Sequence, residues 1–363
     1  MQARRDGALD VRRVPVPVML AVLADHPALA EEMRYPGFFS SVAWLDGVHQ
    51  SGNAHDAFGL IVSRGETPVA VLPLETSRNW LGGLDLRYLG YRFFPDPLGL
   101  ICAERDLPEA IAALTGYLRN ESRWDRLILD FLLPEEAARW PGKVRQQSKA
   151  PYLRLPQTID TLLADFTGKK RYKLRTKLGR AEKAGLVFTV ADTADEKRRY
   201  LDALFRVHAA RSADIDRDSS IGRREVHALH ARLAETCEEA TLFALQAEGR
   251  IVAALYGFLV QRRFSFFQIA HDPRLDELRP GTVILYKTIA HLCAAGASEF
   301  NFLQGDERYK YEWTSDTRAL LQAEVGISAV RSRLLTSAAR ARRWGAANSR
   351  ALGRALKPGA VSR

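Results

Sequence analysis

Side chains able to do chemistry crowd one short segment of this chain. From Asn301 to Trp313 it reads NFLQGDERYKYEW. A strand pattern stops at Leu303, Gly305 permits a tight exit, and carboxylates, bases and phenols then follow one another closely. Loops at strand ends are where functional groups are commonly held on a rigid scaffold. There Asp306 could accept a proton, while Tyr309 or Lys310 could donate toward developing negative charge. A solvated loop with incidental ion pairs would use the same residue types.

Two further segments carry potential binding chemistry. Arg279-Pro280-Gly281-Thr282-Val283-Ile284 places a glycine at the start of a helical pattern that follows a strand and a loop. Free backbone N–H groups there, with the helix dipole behind them and Arg279 alongside, would suit a pyrophosphate; an ordinary helix start reads the same way. The stretch Gly168 to Gly185 holds Lys169, Lys170, Arg171, Lys173, Arg175, Lys177, Arg180 and Lys183 against a single acid, Glu182. That density fits RNA, phosphates or an anionic glycan, and equally a solvated helix face opposite the Leu174, Leu178 and Ala181 stripe.

Other chemistries find no pattern. There is no G-x-G-x-x-G, Walker or G-x-S-x-G sequence. His227 and His230 are three apart on a helical stretch without a companion ligand motif, so no metal is expected. His208 and His291 fit the apolar sides of their helices. Cys102, Cys237 and Cys293 are too few and too scattered for a disulfide framework, and suit a reducing compartment.

Around these segments the chain alternates strands and helices. Phe38 to Gln50 reads as a helix, Ala57 to Ser63 and Pro68 to Glu75 as a hairpin, and Leu84 to Phe93 as a third strand. After the breaker Pro95-Asp96-Pro97, Pro108 to Asn120 is helical and Arg126 to Leu132 a strand. Pro134 to Pro156 reads as a connection. The order then repeats: a helix over Leu162 to Ala184, a strand over Leu186 to Val190, and helices over Asp195 to Arg211 and Gly222 to Glu239. Strands follow at Thr241 to Ala247, Ile251 to Val260 and Phe264 to Ala270, then a helix from Pro280 to Ala295, then strands Ser298 to Leu303 and Arg318 to Val325. Such a layout is α+β, with helices packed on mostly antiparallel sheets in two tandem units.

The 363 residues suit two domains. With 47% hydrophobic and 26% charged residues the composition is globular, which excludes a wholly disordered chain. Ile251 to Val260, the longest plainly apolar run, is half the roughly 20 residues that span a bilayer. Nine basic residues and no acids between Arg331 and Arg363 account for most of the net charge of +10. The body is therefore nearly neutral, and the pI of 9.6 does not mark a DNA-binding fold. Arg4, Arg5, Arg12 and Arg13 precede an apolar stretch, but Asp6, Asp10, Pro15 and Pro17 spoil an export signal. A strand-and-helix lead-in and a cytoplasmic location are expected instead.

Taken together, Gly168 to Gly185, Ile251 to Ala270, the Pro280-Gly281 helix start and Gly305-Asp306-x-x-Tyr309-Lys310-x-x-Trp313 resemble the CelD/BcsL-type acetyltransferases. These are GNAT-superfamily proteins with a BioF2-like acetyltransferase domain. Phe38-Phe39-Ser40-Ser41-x-x-Trp44-Leu45 and Ala70-Val71-Leu72-Pro73-Leu74 extend the resemblance to the first half, so it covers about residues 35 to 325. It implies tandem GNAT-like domains: a lead-in over 1–34, a structural first domain over 35–156, a catalytic one over 157–330 and a basic tail over 331–363.

The implied reaction moves an acetyl or related acyl group from acyl-CoA to an amine or hydroxyl on a small molecule or glycan, as in envelope polysaccharide biosynthesis. By the same resemblance Arg279, Gly281, Thr282 and Val283 hold acetyl-CoA or another acyl-CoA. Asp306 would be a base or substrate orienter, Tyr309 and Lys310 would assist charge or the leaving thiolate, and His271 with Asp272 would support them. The cofactor loop offers only Arg279-Pro280-Gly281 where GNAT proteins usually have Q/R-x-x-G-x-G/A. That departure keeps open a FemAB-like aminoacyltransferase using aminoacyl-tRNA, bound through the basic helix, and a non-catalytic scaffold in polysaccharide assembly. The tail's Leu334, Leu335, Trp344 and Leu352 among alanines and arginines read either as an amphipathic helix on an anionic membrane surface at the inner face or as a loosely ordered basic tail.

Overall fold

The computed structural model describes residues 8–52, 54, 56–214 and 224–327. The basic tail over 331–363, with the membrane role read for it, lies outside the described residues. Residues 1–7 of the lead-in and the first two of the helix expected from Gly222 lie outside them too.

Two series of elements follow the same plan. In the first, β1 (Leu9–Pro15), β2 (Phe58–Arg64), β3 (Thr67–Arg78) and β4 (Leu84–Tyr88) form an antiparallel meander; the short β5 (Ile101–Cys102) adds to β3. Helix Leu107–Arg119 then returns the chain to β6 (Arg126–Leu132), parallel to β4. In the second, β8 (Val187–Val190), β9 (Ala240–Ala247), β10 (Arg250–Val260) and β11 (Arg263–His271) form the meander. Helix Pro280–Ala294 leads to β12 (Glu299–Asn301), parallel to β11.

The last strand of each series is lent to the other. β7 (Lys143–Arg154) pairs with β12, and β13 (Thr317–Gly326) pairs with β6, while β7 and β13 pair with each other. One continuous sheet results, ordered β1-β2-β3-β4-β6-β13-β7-β12-β11-β10-β9-β8. The segment read as a connection, Pro134 to Pro156, is therefore mostly a central strand. Its KVRQQSK half is exposed along its length, so no apolar alternation announces it.

Smaller corrections have local causes. The helix expected over Leu162 to Ala184 is two, Ile159–Ala164 and Gly168–Lys183, because Thr167 caps the second by accepting from Lys170 N (3.3 Å). Arg171 then closes the first helix, its Nη1 donating to Phe166 O (2.6 Å) and Ala164 O (3.0 Å). The lead-in is a strand and a helix, Val16–Asp25, as expected; Met19 of that helix sits fully in the core.

The two units share their packing. Phe38 of the first stacks on Phe258 of the second, with ring centroids 3.8 Å apart. Gly47 admits Leu229 so closely that an added Cβ would stand 2.9 Å from its Cδ1. A polar bridge crosses the same junction: Tyr35 Oη donates to Glu299 Oε1 (2.5 Å), and Arg318 grips both Glu299 oxygens. Among the described residues, no helix is long and apolar enough to cross a membrane, and no group of three or more His, Cys, Asp or Glu side chains could hold a metal.

Gly142 tests the strand exchange. Its φ of 131° is one that glycine tolerates, and a Cβ there would lie 2.2 Å from the carbonyl oxygen of Glu324 on β13. Gly142→Ala should cost about 3 kcal/mol, the upper end for a point substitution. A urea midpoint equal to that of the parent chain would show that β13 is not held there.

Candidate active site

A cleft opens where two strands part. β11 and β12 pair only from Arg263 with Glu299 to Ser265 with Asn301. Beyond that point β11 continues beside β10, while the chain after β12 turns away through Leu303, whose φ is 55°. The corresponding gap in the first unit is filled by its own chain: Leu98 bridges to Leu132 and donates its N–H to Phe131 O (3.1 Å). The second unit's gap is left as a cleft, of about 750 Å3, within the usual range for small-molecule sites.

The turn after β12 is tightly held. Leu303 N donates to Asn301 Oδ1 (3.0 Å) and Gly305 N to Lys149 O (3.0 Å). Lys310 is buried beneath it, its Nζ donating to Gln304 O (2.7 Å) and Leu303 O (3.4 Å) and pairing with Glu307 Oε2 (2.9 Å). A fixed ammonium therefore sits in the cleft wall. Tyr309 lines the same wall, and burial holds its phenol above the ordinary range, so it remains a proton donor at neutral pH. Trp313 closes this end against Phe166, centroids 6.1 Å apart.

The residue that sequence reading missed comes from the first unit. Asp96 lines the cleft and is fully buried; its Oδ2 accepts from Gln304 N (2.8 Å). Its Oδ1 has no hydrogen-bond partner among the described residues. Burial pushes its carboxyl up to about 7, against the pull of Gln304 N–H and the Lys310 charge. A carboxyl titrating near neutrality with a free oxygen is suited to accept a proton. The only local sign of it was an acid set between two prolines, Pro95 and Pro97, in an apolar stretch.

The other expected residues divide. His271, Gly281 and Thr282 line the cleft together with Tyr309 and Lys310. His271 Nε2 lies 2.8 Å from Asp276 Oδ1, and a Cβ on Gly281 would come within 3.1 Å of its Nδ1, so the glycine lets ring and helix start meet. Asp272 instead holds Arg274, through Oδ1 (3.0 Å) and Oδ2 (2.6 Å). Asp306 is not among the cleft residues; it is exposed and accepts from Tyr311 Oη (2.5 Å). Val283 points into the core. Arg279, in the left-handed region at φ 54°, lines a neighbouring groove of about 440 Å3 with Tyr172, Lys173, Lys177 and Arg180. The N–H groups of Thr282 and Val283 both turn back to Arg279 O (3.0 and 3.1 Å), which narrows the expected phosphate cradle to Gly281 and the nearby basic side chains.

Residues 168–311 match the family model for the acetyltransferase (GNAT) domain. The chain carries a GNAT-type acetyltransferase domain. Around that GNAT domain, the whole chain resembles solved structures in fold. The crystal structure of FemX superposes with a TM-score of 0.64 at 12% identity, covering 90% of this chain and 99% of that one. The C-terminal domain (DUF2156) of a putative lysylphosphatidylglycerol synthetase from Agrobacterium fabrum gives 0.56 at 14% identity, covering 89% and 96%. L-PGS from Bacillus licheniformis gives 0.51 at 15%, covering 83% and 95%. No curated protein matches the sequence. The fold is thus a tandem GNAT-like one, its mixed, mostly antiparallel sheet flanked by helices, and most of the cleft's lining comes from its GNAT domain, with Phe94 and Asp96 supplied by the first unit.

Proposed function

We propose that this protein transfers an acyl group, acetyl or related, from acyl-CoA to an amine or hydroxyl acceptor bound in the cleft. The observation that carries this reading is Asp96, with its unpartnered oxygen, held on the same turn as Lys310 in the wall of the cleft between β11 and β12. The acceptor X–H attacks the thioester carbonyl, its proton passes to Asp96, and the C–S bond breaks. Tyr309 donates to the developing oxyanion. The positive charge of Lys310, whose three N–H bonds are used within the turn, favours the departing thiolate, which takes up the proton held by Asp96. Gly281, with Arg279 and, through its hydroxyl and not its N–H, Thr282, would hold the donor's phosphates. In this reading residues 157–330 form the catalytic domain and 35–156 the supporting one, which nevertheless supplies the base. An acceptor in envelope polysaccharide synthesis, as in the CelD/BcsL group, fits the sequence resemblance.

A second donor is favoured by one observation. Lys169, Lys173, Lys177 and Arg180 follow at three- or four-residue spacing along one helix, a pitch of about 6 Å that matches successive phosphates. Tyr172 beside them is 73% exposed and available for stacking on a base. This supports an aminoacyl-tRNA donor.

Thermal unfolding with acetyl-CoA, and with free CoA for comparison, separates the readings. A saturable rise, worth about 2.7 kcal/mol at a hundredfold excess over Kd, is expected with acetyl-CoA. No shift with either compound would overturn the acyl-CoA donor. Binding of aminoacyl-tRNA that weakens steeply with salt would then support the second reading. Absence of both would leave a scaffold in polysaccharide assembly.

A further inference from the structure

A second cavity, of about 570 Å3, lies on the other side of the helix Ala194–Asp214. Every basic residue in its wall is an arginine, and they come from three places: Arg199 and Arg206 two helical turns apart, Arg250 at the start of β10, and Arg274 beyond β11. Asp272, the one carboxylate in the wall, is already held by Arg274, which keeps it below the usual carboxylate range. Among the described residues, Arg199, Arg206 and Arg250 form no salt bridge. Three guanidinium groups thus converge over an apolar floor that includes Ile251 and Val252.

Like charges gathered around a concave surface raise the local potential and concentrate anions. Guanidinium forks, unlike ammonium groups, match phosphate oxygens in pairs. Even with Asp272 drawn toward Arg274 and Arg250 and Glu196 toward Arg199, the wall keeps a surplus of positive charge, which complements a diphosphate better than a single carboxylate. The cavity also shares walls with the cleft: Val207 and Asp272 face the arginines, while their sequence neighbours His208 and His271 face the cleft.

We propose that the arginine cavity binds the diphosphate of the acyl acceptor, leaving the acceptor's nucleophile to enter the cleft. The cavity's preference for a diphosphate stands on its own geometry; its assignment to the acceptor rests on the acyl-transfer reading.

Calorimetric titration of the full chain with inorganic pyrophosphate at low salt tests both parts. Saturable binding is expected, its tightest site weakened at least about tenfold in the exposed double variant Arg206→Gln/Arg250→Gln. Lys173→Gln/Lys177→Gln, on the other basic surface, should leave it within about twofold. No binding, or binding that is lost only in the lysine variant, would overturn the site. If saturating acetyl-CoA displaces pyrophosphate, the cavity belongs to the donor and the acceptor assignment falls; unchanged pyrophosphate affinity supports it. Failure of acetyl-CoA to bind at all would remove the donor reading and leave the arginine comparison readable.

Discussion

Asp96→Asn should lower acyl transfer at least about 10²-fold, the scale of lost acid–base catalysis, while the protein remains folded. Asparagine keeps an oxygen to accept from Gln304 N and removes only the capacity to take a proton. For the parent chain, kcat/KM should rise with pH through about 7 as Asp96 ionises. Stability should move the opposite way. The carboxyl goes from an ordinary 3.8 in the unfolded chain to about 7 in the fold, so the folded state binds its proton more tightly. That contribution is complete below about 4 and is lost as pH rises through 7, leaving a buried charge without a full set of partners. The shift corresponds to about 4 kcal/mol as an upper scale. Asp96→Asn should therefore be more resistant to urea than the parent at pH 8, and nearly equal at pH 4. Glu75 and Glu136, which burial also raises to about 7, titrate alike in both chains, so the difference isolates Asp96. Asp306→Asn, at an exposed position paired with Tyr311, should leave turnover within roughly threefold. Unchanged turnover in Asp96→Asn would end its role as base.

Lys310→Met should reduce kcat by about 10²-fold, the scale of losing a preorganised charge that favours the transition state. The ammonium holds two carbonyls of the turn as well, so a stability loss of about 1–3 kcal/mol is expected from the orphaned Gln304 O. Its pair with Glu307 adds little, since Glu307 is 57% exposed. The two roles separate in the assay: at a temperature where denaturant curves show the variant fully folded, kcat should still be depressed. Full activity there would make Lys310 a structural anchor only.

The sequence made the repeated order of helices and strands legible because each meander strand alternates or runs apolar and each hairpin carries a turn, as at Arg64-Gly65-Glu66 and Glu248-Gly249-Arg250. That Tyr309, Lys310, His271, Gly281 and Thr282 line one cleft was legible because they flank one strand end and one helix start. Asp96 was not. What holds it in the cleft is a bond to Gln304, 208 residues away, and neither partner's local sequence encodes that meeting. β7 was hidden for a related reason: a polar strand with little to bury is specified by its neighbours, not by its own pattern. Asp306 follows Gly305 as a catalytic-loop carboxylate would, yet its side chain turns outward to Tyr311 and away from the cleft lining.

The exchanged strands also set the order in which this protein can be made. The first unit's sheet remains open beside β6 until β13 arrives, and contacts such as Gln322 to Asp130 close over 192 residues. Such long loops are slow to close. On the ribosome, the N-terminal half waits with an unsatisfied edge until nearly the whole GNAT domain has emerged. A chain released early, short of Thr317, would expose that edge to other chains, so incomplete products should be the aggregating species.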